Sequence, residues 1–190
     1  MSSDSRDRLA DTGPVPRQLT SKTVYQNNWM QVREDTFERP DGTVATYGVV
    51  DRDDFAVVIA EVGGAFYLVE QYRYALQRRS WEFPMGTWPA GHSGTDEELA
   101  RQELLEETGV TAQHLRRLGH RMTEASGFCS QGFTVFHATG LTEGEHQRED
   151  SEADMVSALI DEQEFRAMIA DGRIFDGPTI AAYALLRLLS

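Results

Sequence analysis

The chain has 190 residues, 40% apolar and 26% charged, with six prolines. This suits one ordinary domain, or one domain with a small accessory lobe, and excludes a tandem array or wholesale disorder. Eighteen basic against 31 acidic residues leave a net charge of −13, which excludes duplex nucleic acid and anionic membrane surfaces as default partners. The single cysteine, Cys129, cannot close an internal disulfide, and no thiol cluster offers a zinc site. The first residues contain no apolar signal-like run, and the longest nearly apolar stretch, Phe55 to Val62, is too short to span a bilayer. The expectation is a cytoplasmic protein.

Residues 1–17, built largely from Ser, Asp, Arg, Gly and Pro, have little to bury and are expected to form a disordered arm. Residues 18–50 read as an N-terminal antiparallel β lobe. Its β-rich runs near 30–37 and 44–50 flank Pro40-Asp41-Gly42, which predicts a hairpin. Residues 51–190 form the larger domain. Phe55 to Glu61 and Ala65 to Tyr72 predict a second hairpin about Gly63-Gly64, whose glycines supply positive φ at a two-residue turn. Gly86 to Gly94 reads as a loop. Thr95 with Glu98 forms a capping-box pattern that opens a helix over 96–108, and Gly109 closes it. Strands are expected near 115–122 and 132–139, followed by an acidic loop over 143–154 and a short strand near 155–159. Two helices finish the chain: Asp161 caps the first and Gly172 ends it, and Pro178 stands in the first turn of the second.

The chemistry concentrates on the helix over 96–108. Glu103, Glu106 and Glu107 occupy positions i, i+3 and i+4, so their carboxylates share an arc of about 100°. Like charges at this spacing oppose helix formation by about 0.2 to 0.5 kcal/mol per pair, and the last turn is where the helix dipole disfavours negative charge. A hard divalent cation with oxygen ligands would offset both costs. A solvated acidic face, with Arg101 relieving Glu97 or Glu98, would account for the same residues. Trp88 in the preceding loop could stack on a base or sugar, or cover a hydrophobic rim. The five histidines show no ligand spacing, and neither a Gly-x-Ser-x-Gly elbow nor a Walker loop is present.

Read as a string, Gly86 to Val110 (GTWPAGHSGTDEELARQELLEETGV) resembles the Nudix box, the loop-helix-loop signature of hydrolases that cut a nucleoside diphosphate linked to another group. Flanking segments QYRY (71–74), WEFPMG (81–86) and IFDGPTIAAYALL (174–186) are similar to the ADP-ribose and nucleotide-sugar pyrophosphatase branch, and the resemblance covers nearly everything after Lys22. Departures are visible: Gln102 stands where the box has Arg, the loop carries two extra residues, the upstream box glutamate has no clear counterpart, and Ser126 occupies the place of a branch proline.

The resemblance implies an α/β fold, a Nudix-type α/β/α sandwich on a mixed sheet, with a homodimer built through the N-terminal lobe. It implies Mg²⁺, with Mn²⁺ as the alternative ion, held by Glu103, Glu106, Glu107 and the Met85 carbonyl. Arg73 is placed at the diphosphate and Glu82 beside the metals, while Trp88 and Ser126 lie in loops that contact substrate. Glu106 and Glu107 take part in catalysis, and Glu152 of the acidic loop is the general base. The activity expected is hydrolysis of a nucleoside diphosphate sugar, ADP-ribose-like or other, to a nucleoside monophosphate and a sugar phosphate. Two other readings stand beside it: a sensor that binds nucleotide sugars without turnover, and a hydrolase of modified nucleoside triphosphates.

Overall fold

The computed structural model describes residues 13–145 and 154–189. The chain divides into two compact units, one formed by residues 13–52 with 126–130 and the other by residues 53–125 with 131–189.

The first unit is a three-stranded antiparallel sheet in the order β1-β2-β3, from β1 (Arg17–Gln26), β2 (Gln31–Glu38) and β3 (Val44–Asp51). The hairpin expected between β2 and β3 is present. Gly42 takes φ +81°, and Arg39 closes the turn through a 2.8 Å bond to the Thr43 carbonyl. Strand β1 was not anticipated as an element of its own, because RQLTSKTVYQ has no apolar alternation; all ten of its residues are exposed. Backbone pairing to β2, interrupted by two register shifts, is what makes it a strand. Residues 126–130 add to this unit through Val50, whose N–H donates to the Phe128 carbonyl and whose carbonyl accepts from Ser130.

The second unit is built on a seven-stranded mixed sheet. Its main path runs β10 (Val156–Asp161), β5 (Ala65–Arg73), β4 (Phe55–Val62), β9 (Gly132–Glu143), β8 (Val110–Thr123); β6 (Arg78–Glu82) pairs with β5, and β7 (Met85–Gly86) with β4. β4 and β9 are parallel and the remaining pairs antiparallel. Among the described residues, three α-helices cover the faces: α1 (Asp96–Thr108), α2 (Glu162–Asp171) and α3 (Gly177–Leu189).

Strand β4 explains the layering. Successive side chains point to opposite faces, so Phe55, Val57 and Ile59 join Phe165 and Met168 of α2 and Ala182 and Leu186 of α3 in one core, while Ala56, Val58 and Ala60 meet Leu99, Ala100 and Leu104 of α1 in the other. Six consecutive residues of β4 are buried because both faces are covered. Each large side chain buried this way contributes about 1.5–3 kcal/mol. The Gly63-Gly64 turn forms as expected, at φ +59° and +79°, but only two residue pairs hold the hairpin before β4 turns to β7 and β9.

Two differences from the sequence reading bear on the site. β8 starts at Val110, immediately after the helix, rather than near residue 115. The stretch WEFPMG contributes β6 and β7, which carry Glu82 and place Met85 and Gly86 beside α1. Both are short pieces that exist only as partners of β5 and β4. Among the described residues no helix is long and apolar enough to cross a membrane.

Candidate active site

Helix α1 begins where the sequence places it. Thr95 Oγ1 accepts the Glu98 N–H at 3.2 Å and the Glu98 carboxylate accepts the Thr95 N–H at 2.8 Å, while Gly109 at φ +73° terminates the helix. Its apolar face packs on β4, and the same face carries Glu103 and Glu107 inward, leaving them 6% and 1% exposed. Burying charge this deeply costs free energy unless a partner is supplied.

The partners are partly visible. Glu107 Oε2 accepts the Met85 N–H at 3.1 Å, and Glu106 Oε1 accepts from Gln102 Nε2 at 2.9 Å. Glu103 lies against Gly86, where an added Cβ would come within 2.5 Å of its Cδ, so the absence of a side chain at 86 makes the space for that carboxylate. No basic residue occupies the last turn of α1. Arg101 serves the other end instead, bonding Glu97 at 2.9 Å and the Ala112 carbonyl at 2.9 Å. The solvated-face reading therefore holds for Glu97 and fails for Glu103 and Glu107.

Across from α1, Arg73 at the end of β5 grips Glu82 on β6. Its Nε donates to both carboxylate oxygens, at 2.9 and 3.1 Å, and its Nη2 donates to Oε2. Glu82 is 1% exposed and the Arg73 side chain 37%. Burial pushes the Glu82 carboxyl above its usual value, and Arg73 opposes that rise without cancelling it. For Arg73, burial works against the charge, but Glu82, Asp176 and Glu107 together raise its pKa above the ordinary value. The guanidinium is therefore a permanent cation, and its Nη1 has no protein partner among the described residues.

Asp176 is the residue the sequence reading missed. It caps α3 by accepting the Thr179 N–H at 2.8 Å, and Thr179 Oγ1 accepts the Phe83 N–H at 3.1 Å, tying the helix start to the strand end that carries Glu82. The signal was present as Asp-x-x-Thr ahead of an apolar helix, a capping pattern.

The structure thus brings Glu82, Met85, Glu103, Glu106, Glu107 and Arg73 onto the adjoining elements β5, β6, β7 and α1. Trp88 lies in the loop from β7 to α1, half-buried, and packs against the α1-side core. Ser126 is exposed and belongs to the other compact unit. Glu152 lies outside the described residues.

The donor set is all oxygen and carboxylate-rich, which fits a hard divalent cation. Among the described residues no three His, Cys, Asp or Glu side chains stand together in an arrangement that holds an ion as it is.

Residues 50–183 match the NUDIX domain family, and residues 17–50 match the nucleoside diphosphate sugar hydrolase N-terminal domain. Among curated proteins, the chain is 31% identical over 166 residues to an ADP-ribose pyrophosphatase of Mycobacterium tuberculosis, covering 86% of this chain and 79% of the relative. It is 28% identical to a methanol dehydrogenase activator of Bacillus methanolicus, covering 93% and 96%. An ADP-ribose pyrophosphatase of Bacillus subtilis is 26% identical, covering 90% and 91%. A crystal structure of an ADP compounds hydrolase superposes with a TM-score of 0.78 at 20% identity, over 92% of this chain and 93% of that one, which establishes likeness of fold.

Proposed function

The chain belongs to the Nudix family of hydrolases, and from that premise we propose that it is a divalent-metal-dependent pyrophosphohydrolase of nucleoside diphosphate sugars. It would release a nucleoside monophosphate and a sugar phosphate. The observation that carries the proposal is the set of carboxylates held against the dipole at the C-terminal half of α1, with Gly86 leaving room for Glu103 and Arg73 presenting an unused edge.

Glu103, Glu106 and Glu107 would hold the metal, with Glu82 and the Met85 carbonyl as further donors. Mg²⁺ is the proposed ion, and Mn²⁺ has the same donor preference. When bound, such an ion neutralises diphosphate oxygens and makes a water acidic enough to attack phosphorus. The protein's share is positional. Glu107 is aimed by the Met85 N–H and Glu106 by Gln102. Arg73, locked in orientation by Glu82, offers Nη1 to a nonbridging oxygen, an interaction common to every substrate of the class. Glu152 is the proposed general base, removing the proton from the attacking water. Selection among substrates falls to Trp88 and Ser126, in the loops proposed to contact groups beyond the phosphates.

A homodimer through the N-terminal strands is part of the same proposal. Its support is the exposure of five large apolar side chains on that unit, Val24, Tyr25, Trp29, Val44 and Tyr47. Neither a non-hydrolysing sensor nor a triphosphate hydrolase is favoured by a specific observation: the three box glutamates are intact, and two of the relatives are named pyrophosphatases.

The test is a product screen over nucleoside diphosphate sugars and nucleoside triphosphates, with and without Mg²⁺, resolving monophosphate from pyrophosphate. Metal-dependent release of a nucleoside monophosphate from the sugars is expected. Pyrophosphate from triphosphates alone, or no turnover of either class, would overturn the proposal.

A further inference from the structure

Among the described residues, strand β6 pairs with β5 alone, and the segment joining α2 to α3 supplies further partners along it. Arg78 Nη2 donates to the Gly172 carbonyl at 2.9 Å, and its guanidinium lies 3.9 Å from the centroid of the Phe175 ring. The Trp81 N–H donates to the Arg173 carbonyl at 3.4 Å, and the Phe83 N–H to Thr179 Oγ1 at 3.1 Å. A buried backbone donor needs an acceptor, and just past the end of β6 a side chain provides it.

Phe83 and Pro84 are all that separates Glu82, the last residue of β6, from Met85, the first of β7. Each residue of this stretch is held from a different element. Arg73 of β5 holds Glu82, Thr179 of α3 holds Phe83, the Val58 N–H of β4 donates to the Pro84 carbonyl at 2.9 Å, and Glu107 of α1 accepts the Met85 N–H. Proline has no N–H, so Phe83 carries the one backbone donor between the two residues proposed to reach the cation. Its acceptor is well fixed: Thr179 is 0% exposed, and its own N–H is taken by Asp176 Oδ2 at 2.8 Å in the first turn of α3.

We propose that Thr179 is a positioning residue of the active site: by accepting the Phe83 N–H it sets where Glu82 and the Met85 carbonyl stand relative to Glu107. With the hydroxyl removed, a buried donor is left unpaired and the link must move to find another acceptor or water. A link of two residues cannot shift without carrying its ends, and metal and catalytic constellations tolerate displacements of only about 0.5 Å. This inference rests on the reading of Glu82, Met85 and Glu107 as donors to a divalent cation, and it adds a residue on a distant helix that touches neither ion nor substrate.

The experiment compares the wild type with Thr179→Val, which keeps the shape but offers no acceptor, and with Thr179→Ser, which restores one. Three measurements are made: amide resonances and hydrogen exchange of the metal-free protein by NMR, calorimetric binding of Mn²⁺ alone, and steady-state kinetics on a nucleoside diphosphate sugar at saturating Mg²⁺. Thr179→Val is expected to shift the Phe83, Met85 and Gly86 amide resonances and to speed exchange at Phe83. It should also raise the Mn²⁺ dissociation constant at least fivefold and lower kcat at least tenfold with KM within twofold. Thr179→Ser should return the constants to within threefold of the wild type. Melting curves check folding, and Thr179→Ala carries the same test if Thr179→Val does not fold. A folded Thr179→Val that melts lower but binds Mn²⁺ and turns over as the wild type does has lost only stability, which overturns the proposal and leaves the proposed activity standing. A wild type that neither binds Mn²⁺ nor turns over any nucleoside diphosphate sugar overturns that activity, while Thr179-dependent resonances at Met85 and Gly86 uphold the positioning of the link.

Discussion

The two ends of α1 carry similar charge under opposite physics. At the start, Asp96, Glu97 and Glu98 lie where the helix dipole favours anions, Thr95 and Glu98 complete a reciprocal cap, and Arg101 pairs with Glu97. At the far end, Glu103, Glu106 and Glu107 face the unfavourable pole with no basic residue in the last turn, and two of the three are buried. The first set stabilises the helix as it stands. The second works against the helix at that pole, a cost that the proposed divalent cation would offset.

That contrast can be broken deliberately. The largest effect is expected from Glu107→Gln: at least a hundredfold loss of kcat, about 2.7 kcal/mol of transition-state stabilisation, with the metal-free melting temperature equal or higher because a buried charge is removed. In the wild type, added Mn²⁺ should raise the melting temperature by mass action, and the rise should be reduced in this variant. Full activity in Glu107→Gln would sink the metal assignment.

Arg73→Ala should lower kcat/KM for all nucleotide sugars together. It should also destabilise the fold by about 3 kcal/mol, because it leaves Glu82 buried without its partner. Denaturant melts and steady-state kinetics on three substrates separate the two effects; a loss confined to one substrate would show that Arg73 selects rather than neutralises.

Gly86→Ala is a finer cut. The added methyl meets the far end of the Glu103 side chain rather than backbone, so the carboxylate can swing away at a stability cost of roughly 1 kcal/mol, while activity falls by an order of magnitude or more. Equal activity in this variant would show that the observed Glu103 position is not the working one.

At the other end, Thr95→Ala removes the cap and should cost about 1 kcal/mol of stability with kcat nearly unchanged. The smallest effect concerns acid. Hydrogen bonds from the Thr95 N–H and hydroxyl hold the Glu98 carboxyl below its usual value. A lowered pKa means the cap's contribution is present above the unfolded value of 4.5 and is lost as pH falls through the folded one. Glu98→Gln should therefore flatten the acid limb of the melting-temperature profile below pH 4.5 without altering the neutral region.

Legibility followed the same divide. The cap, the stop at Gly109, the Gly63-Gly64 turn and the glutamate arc are local patterns, and each is found as read. The partnership of Arg73 with Glu82 depends on the register of β5 with β6, and β6 has no periodic signature of its own in RRSWE. Asp176 reaches that pair only because α3 packs its start against the end of β6. Glu103 and Glu107 read equally well as solvated until β4 and β7 bury them.

By itself, the sequence determined the helix limits, the glutamate spacing and the family likeness, since capping, turn chemistry and 3.6-residue periodicity act over a few neighbours along the chain. Only the tertiary structure decided which carboxylates lose water and which cation each one meets. Those outcomes depend on strands brought together from distant parts of the chain, where burial sets the strength of every charge.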